Sequence, residues 1–265
     1  MEVAHTLRDG IAWSVQDQVA RITLSRPERA NAIDLPTALA FSEAIEVCLR
    51  AQPRVLVLDA IGPIFCAGGD IQSFAQAGPK LLQLVADILE PLLPAYRRLA
   101  SAPCPVVTVV SGPFGGAGLG LALVGDVVLA STTVKLRTGY AALGLSPDVG
   151  ASYFLARRVG AMRAQRWLMA SQPVSAEECL AAGAVDALYP PEQLAAAADE
   201  WVQRLRQAAP QSMAAIKRLT ANQNLPLADY LALEREMLEN CAQTQDAQEG
   251  IAAFLAKRPP HFQGH

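Results

Sequence analysis

The stretch Val106-Val-Thr-Val-Val110, followed at once by Ser111-Gly-Pro-Phe-Gly-Gly-Ala-Gly-Leu-Gly120, decides how this chain is read. A short β-branched run bounded by Pro and Gly has the composition of a buried strand. The glycines then form a turn at the strand end, and residues 119–124 continue it as a helical pattern. Small residues at such a turn let backbone N–H groups point into a cleft, and a helix N-terminus adds partial positive charge. A developing oxyanion can be held there. Taken alone, the same residues also fit a plain strand-to-helix connection.

Working outward, Val55-Leu-Val-Leu-Asp59 is a second such run, and Phe65-Cys-Ala-Gly-Gly-Asp-Ile71 is a second Gly-rich turn shortly after it. Val19-Ala-Arg-Ile-Thr-Leu24 is a further strand, and 126–130 and 134–137 are two short ones. Helical patterns over 35–50 and 81–100 lie between them, so the order strand, helix, strand predicts an α/β fold. Beyond Gly150 the pattern is almost purely helical and the strands are expected to end. Ser175-Ala-Glu-Glu178 is a capping-box signature, with a stop at Gly183. The pair Pro190-Pro191 precedes helices near 192–207, 211–222, 227–240 and 246–257, which places a domain boundary there: residues 1–190 and 191–265.

At 265 residues, 52% hydrophobic and 18% charged, the chain can bury a full core. A net charge of −3 without a long basic run gives no footprint of a nucleic-acid partner. The five cysteines are scattered, with no Cys-x-x-Cys pair, and read as reduced, mostly buried thiols. The three histidines, His5, His261 and His265, lie at the chain ends, which argues against His triads and His-rich metal sites. No stretch fits Gly-x-Gly-x-x-Gly or the phosphate-binding Gly-x4-Gly-Lys pattern, so nicotinamide and nucleotide-triphosphate readings fall away. The N-terminal residues lack a basic and then apolar leader, and no apolar run is long enough to cross a bilayer, so a soluble cytoplasmic protein is expected.

Leu24-Ser-Arg-Pro-Glu-Arg-Ala-Asn-Ala32 and the two Gly-rich turns together resemble the three ordered motifs of the enoyl-CoA hydratase/isomerase (crotonase) family, and Phe254-Leu-Ala-Lys-Arg258 resembles its C-terminal helix. The resemblance spans nearly the whole chain. It implies a spiral of ββα turns as core, followed by a helical domain that packs trimers, often paired into hexamers. It also implies an acyl-coenzyme A substrate, with no metal or redox cofactor.

The same resemblance places the oxyanion donors at the N–H groups of Gly69 and Ala117, where Ala117 replaces a usual glycine. It places Arg26 and Arg29 near the coenzyme A phosphates, and the backbone around Ala67, Asp70 and Ile71 near adenine and pantetheine. Phe254 and Lys257 would come from a neighbouring subunit. The two glutamates of the family's hydratases are matched here by Gly120 and Tyr140, neither a carboxylate base. Leu143-Gly-Leu-Ser-Pro-Asp-Val-Gly150 resembles instead the Pro-Asp-x-Gly segment of the ring-1,2-epoxyphenylacetyl-CoA isomerases, and its Asp-Val-Gly also resembles the dienoyl-CoA isomerases.

These matches imply an isomerase in which Asp148 carries a proton. Its competing reading is a helix N-cap. Phe114, Leu143 and Leu145 would form an apolar setting that raises its pKa. Tyr140 either hydrogen-bonds substrate or packs. Cys66 has no base to activate it and reads as a small buried residue. The rivals are a hydratase with displaced acids, a decarboxylase using Tyr140, and a non-catalytic member that only binds coenzyme A.

Overall fold

A computed structural model describes residues 2–265. In chain order its elements are β1 (Val3–Arg8), β2 (Ile11–Gln16), β3 (Val19–Leu24), α1 (Leu35–Arg50), β4 (Val55–Ala60), α2 (Ile71–Ala77) and α3 (Leu81–Ala100). Then come β5 (Val106–Val110), β6 (Phe114–Gly115), α4 (Ala117–Leu123), β7 (Val127–Ser131), β8 (Lys135–Arg137), α5 (Ala151–Val159) and α6 (Ala161–Ala170). The rest are β9 (Val174–Ser175), α7 (Ala176–Ala182), β10 (Ala187–Tyr189), α8 (Pro191–Arg206), α9 (Pro210–Ala221), α10 (Leu227–Ala242) and α11 (Gln245–Leu255).

The main sheet runs β1-β2-β3-β4-β5-β7-β10. The first three strands are antiparallel, and β3 onward are parallel, in registers such as Val19↔Val55, Leu56↔Val106 and Val107↔Val127. Every residue of β5 is buried, as a parallel strand covered on both faces requires. Alternate side chains go opposite ways. Val55, Val57, Val107 and Val109 meet Leu194, Ala198 and Val202 of α8, while Leu56, Leu58, Val106 and Val110 join the larger core with α1, α3 and α4. The apolar stripe of α8 therefore belongs to the packing of the sheet although it follows the Pro-Pro break.

One expectation is corrected and one hairpin is added. The strands do not end at Gly150: β9 pairs with β8, and β10 adds a parallel strand beside β7. Residues 3–16 form the hairpin β1–β2, which sequence patterning did not register. Half of the expected capping box is formed, since Ser175 accepts from the Glu178 N–H at 3.2 Å, and α7 stops at Gly183 in the left-handed region. Asp126 has a structural partner set: its Oδ2 accepts from the Val106 N–H and from Lys217. Among the described residues no helix is long and apolar enough to cross a membrane.

Candidate active site

The two Gly-rich turns are stitched together at the ends of β4 and β5. Cys66 pairs with Phe114 and Ile33 with Gly69 in isolated bridges, and the Gly115 N–H donates to the Cys66 carbonyl at 3.0 Å. The first turn is also tied to the 30–33 segment by Ala67 N–H to Ala30 O, Ile33 N–H to Gly68 O and Asp70 N–H to Ile33 O. Gly68 and Gly116, at φ +105° and +51°, pass so close that a Cβ on Gly68 would lie 3.1 Å from the Gly116 Cα. Only glycine combines that approach with those dihedrals.

Gly69 N–H and Ala117 N–H are among the donors of these turns that have no backbone acceptor among the described residues. Ala117 is the first residue of α4, where the N–H has no intrahelical acceptor. It is not among the residues at positive φ, so its methyl group is accommodated without strain. Both residues line a cavity of about 760 Å³ whose walls include Ile71, Phe74, Val85, Leu89, Leu93, Phe114, Leu143 and Leu145.

Asp148 is the one carboxylate on that cavity wall. The Tyr140 hydroxyl donates to its Oδ1 at 2.7 Å. Burial raises the Asp148 pKa above the ordinary carboxylate value, and the Tyr140 hydrogen bond opposes part of that rise. Asp148 does not cap α5. The cap is Gly150, at φ 77° and without a side-chain bond, so the N-cap reading of Asp148 is set aside. Between them Val149 sits at φ 37°, an unusual state for a β-branched side chain. Its carbonyl points at Gly120, where an added Cβ would come within 2.4 Å of it.

Behind the carboxylate are groups that stay neutral. Burial pushes the Cys66 thiol up to about 12, with Asp148 nearby adding to the rise, which agrees with its reading as an inert buried residue. Tyr96, from α3, is buried with its hydroxyl 3.4 Å from the Ala117 carbonyl. Burial, then Cys66, Asp148 and Tyr140, raise its pKa well above that of a free phenol. Sequence reasoning missed Tyr96, because a lone tyrosine on an amphipathic helix carries no signal of the loop it will face. Lys135 and Arg137, which also line the cavity, were missed too.

Of the residues singled out from sequence, Gly69, Ala117, Asp148, Ala67, Ile71, Phe114, Tyr140 and Leu143 line this one cavity. Asp70 lies behind its wall, 2% exposed, capping α2 through Ser73 N–H and bonded by Arg29 Nη2 at 2.6 Å and Arg26 Nη2 at 3.2 Å. Burial opposes its charge, but those donors hold its pKa below the ordinary value. Arg26 further reaches Asp34 and Thr37, each at 2.7 Å, and Arg29 reaches Gln72. These arginines clamp the first Gly-rich turn. Phe254, 85% exposed, and Lys257, at the end of α11, do not line the cavity.

Two free N–H groups from facing turns, over a cavity with one partly buried carboxylate, on a sheet wound in this order, define the class: an enzyme of the crotonase fold. The chain belongs to the enoyl-CoA hydratase/isomerase family, whose profile matches residues 14–265. It is 34% identical over 264 residues to a probable enoyl-CoA hydratase of Rhodobacter capsulatus, covering 98% of each chain. It is 33% identical to the 1,2-epoxyphenylacetyl-CoA isomerase of Escherichia coli, over 94% of this chain and 97% of that protein. The crystal structure of an enoyl-CoA hydratase from Polaromonas superposes with a TM-score of 0.89 at 31% identity, over 96% of this chain and 99% of the other. Relatives of similar identity are thus named for both hydration and isomerisation.

Proposed function

We propose that the protein is an acyl-CoA isomerase. The thioester oxygen accepts from Gly69 and Ala117 N–H, which makes the α-carbon acidic by stabilising the enolate oxygen. Asp148 takes a proton from one substrate carbon; the electron pair left behind delocalises onto the thioester oxygen, and the proton returns at another carbon as the double bond moves. No atom is gained or lost. The supporting observation is that Asp148 is the cavity's single carboxylate, whereas hydration by the family's two-acid route needs a second one.

A panel of enoyl- and ring-epoxide acyl-CoA esters, read by product mass and NMR, tests this. Products of unchanged mass with a moved double bond or rearranged ring are expected. Gain of one water would mean a hydratase, and no turnover of any ester with retained binding would mean a binding module.

The second acid cannot simply be restored. Gly120→Glu puts a Cβ into the Val149 carbonyl, and overpacking of a filled core costs about 1–3 kcal/mol. A lower melting temperature and no gain of hydratase activity are expected in that variant; a stable Gly120→Glu protein that hydrates enoyl-CoA would overturn the steric argument.

The coenzyme A moiety would run past Arg29 and the backbone of Ala67 and Ile71, with Phe254 and Lys257 supplied by a neighbouring subunit. Leu227, Leu231, Leu238, Ile251, Phe254 and Leu255 are all more than half exposed, an apolar surface that suits burial between subunits. Light scattering at micromolar concentration should give three or six chains per particle. A monomer would remove the trimer from this proposal.

A further inference from the structure

The family's hydratases carry an acid where this chain has Tyr140, and the geometry points to a different task for that residue. We propose that Tyr140 is a positioning residue for Asp148: its hydroxyl holds Oδ1, so that Oδ2 alone faces the substrate as the proton-carrying atom. This rests on reading Asp148 as the proton carrier.

Tyr140 is 7% exposed, and its hydroxyl donates to Asp148 Oδ1 at 2.7 Å. Asp148 Oδ2 accepts from no other described residue, yet it is not among the buried atoms left without a partner, so it is not sealed off, and Asp148 lines the cavity. A carboxylate on a short loop would otherwise rotate about its terminal bond, which has broad preferences. One fixed oxygen and one open oxygen define a direction for proton transfer.

The electrostatic surroundings make this one donor matter. The titratable groups facing Asp148 are Tyr140 at the start of the 141–143 turn, Tyr96 from α3, and Cys66 from the first Gly-rich turn. Burial holds all three neutral at working pH, and no cation is among the causes that shift Asp148. Against the burial that raises its pKa, the carboxylate has the Tyr140 hydroxyl as its one side-chain donor, with a smaller contribution from its own backbone N–H. An ionised base loses activity as pH falls through its pKa. Removing the donor moves that acid limb to higher pH.

Tyr140→Phe keeps the ring and deletes the hydroxyl. The expected result is a kcat lower by about tenfold, the scale of one hydrogen bond to a charged group. KM should change little, and the acid limb of kcat/KM should move to higher pH. A residue that only packs would leave the limb in place.

A second readout does not depend on turnover. Infrared titration of the carboxyl stretch, with Asp148→Asn as the subtraction reference, gives the protonation midpoint of Asp148 in the free protein. That midpoint should be higher in Tyr140→Phe than in wild type. Site-specific 3-fluorotyrosine at position 140, a stronger donor that keeps the ring, should lower it, and this arm decides the matter if Tyr140→Phe does not fold. An unchanged midpoint in the folded variants overturns the positioning role. If the midpoint moves while Asp148→Asn keeps full activity, the hydrogen-bond role stands and the assigned chemistry fails.

Discussion

Asp148→Asn is expected to fold, to bind acyl-CoA as wild type does, and to lose isomerase turnover by about 10²-fold or more, the usual scale for a general acid–base group. The cavity holds no second carboxylate to take over. Cys66 and Tyr96 are held protonated by burial, and Gly120 has no room for a side chain. Asn retains an oxygen that can accept from Tyr140, so the loop should keep its shape. Exchange of substrate protons with solvent deuterium should disappear together with turnover. An Asn variant that isomerises a good substrate at near wild-type rate would refute the proposal.

The same substitution has a stability signature of definite sign. A carboxyl whose folded pKa is raised binds its proton more tightly in the folded state than in the unfolded one. Its ionisation therefore costs stability as pH rises through the folded value, and the cost persists above it. Asn removes a charge that the fold desolvates. At neutral pH the variant should melt no lower than wild type, and the difference should vanish towards pH values below the carboxylate range. A catalytic group held in an unfavourable state trades stability for function in this way.

Much of this was legible because the informative residues are close together in the chain. The helix over 35–50 was read to its ends, where the structure has Asp34 as its cap and Pro36 in its first turn, and β3, β4 and β5 were read from β-branched runs. The hairpin β1–β2 was not, because β1 buries little. Its signal was present in Asp9-Gly10, both at positive φ, the two-residue turn of a hairpin. Strand β10 has three residues and is a strand only because β7 lies beside it.

At the site, the two Gly-rich turns were legible from their glycines and the family resemblance put the candidate donor N–H groups on them, while the partners that tune charge were not legible. The resemblance places Arg26 and Arg29 near the coenzyme A phosphates, and nothing in the sequence signals that the fold also ties both to Asp70 and Arg26 to Asp34. Tyr140 was left between a substrate contact and packing because the loop that brings its hydroxyl to Asp148 has no periodicity to read. Pairing across a loop is a tertiary fact, and only the positions constrained by backbone geometry announce it in advance.

The proposed oxyanion hole makes a prediction of comparable size, and Ala117 is the better place to test it. As the first residue of α4 it stands where proline is tolerated, because that N–H has no intrahelical acceptor and the fixed φ of proline suits a helix start. Gly116 before it is already at ψ −133°, outside the helical region that proline disfavours in its predecessor. Ala117→Pro thus deletes one oxyanion donor while leaving Asp148, Tyr140 and the helix in place. The expected cost is about 10²–10³-fold in kcat, with substrate affinity changed far less, since the donor matters most when charge develops on the thioester oxygen. Ala117→Gly, which keeps the N–H, is the control and should retain most turnover. The comparison at Gly69 is less clean, because a Cβ there already meets the Phe74 ring at 2.8 Å and any substitution repacks it. If folded Ala117→Pro turns over within a few-fold of Ala117→Gly, the thioester oxygen does not sit between these two turns.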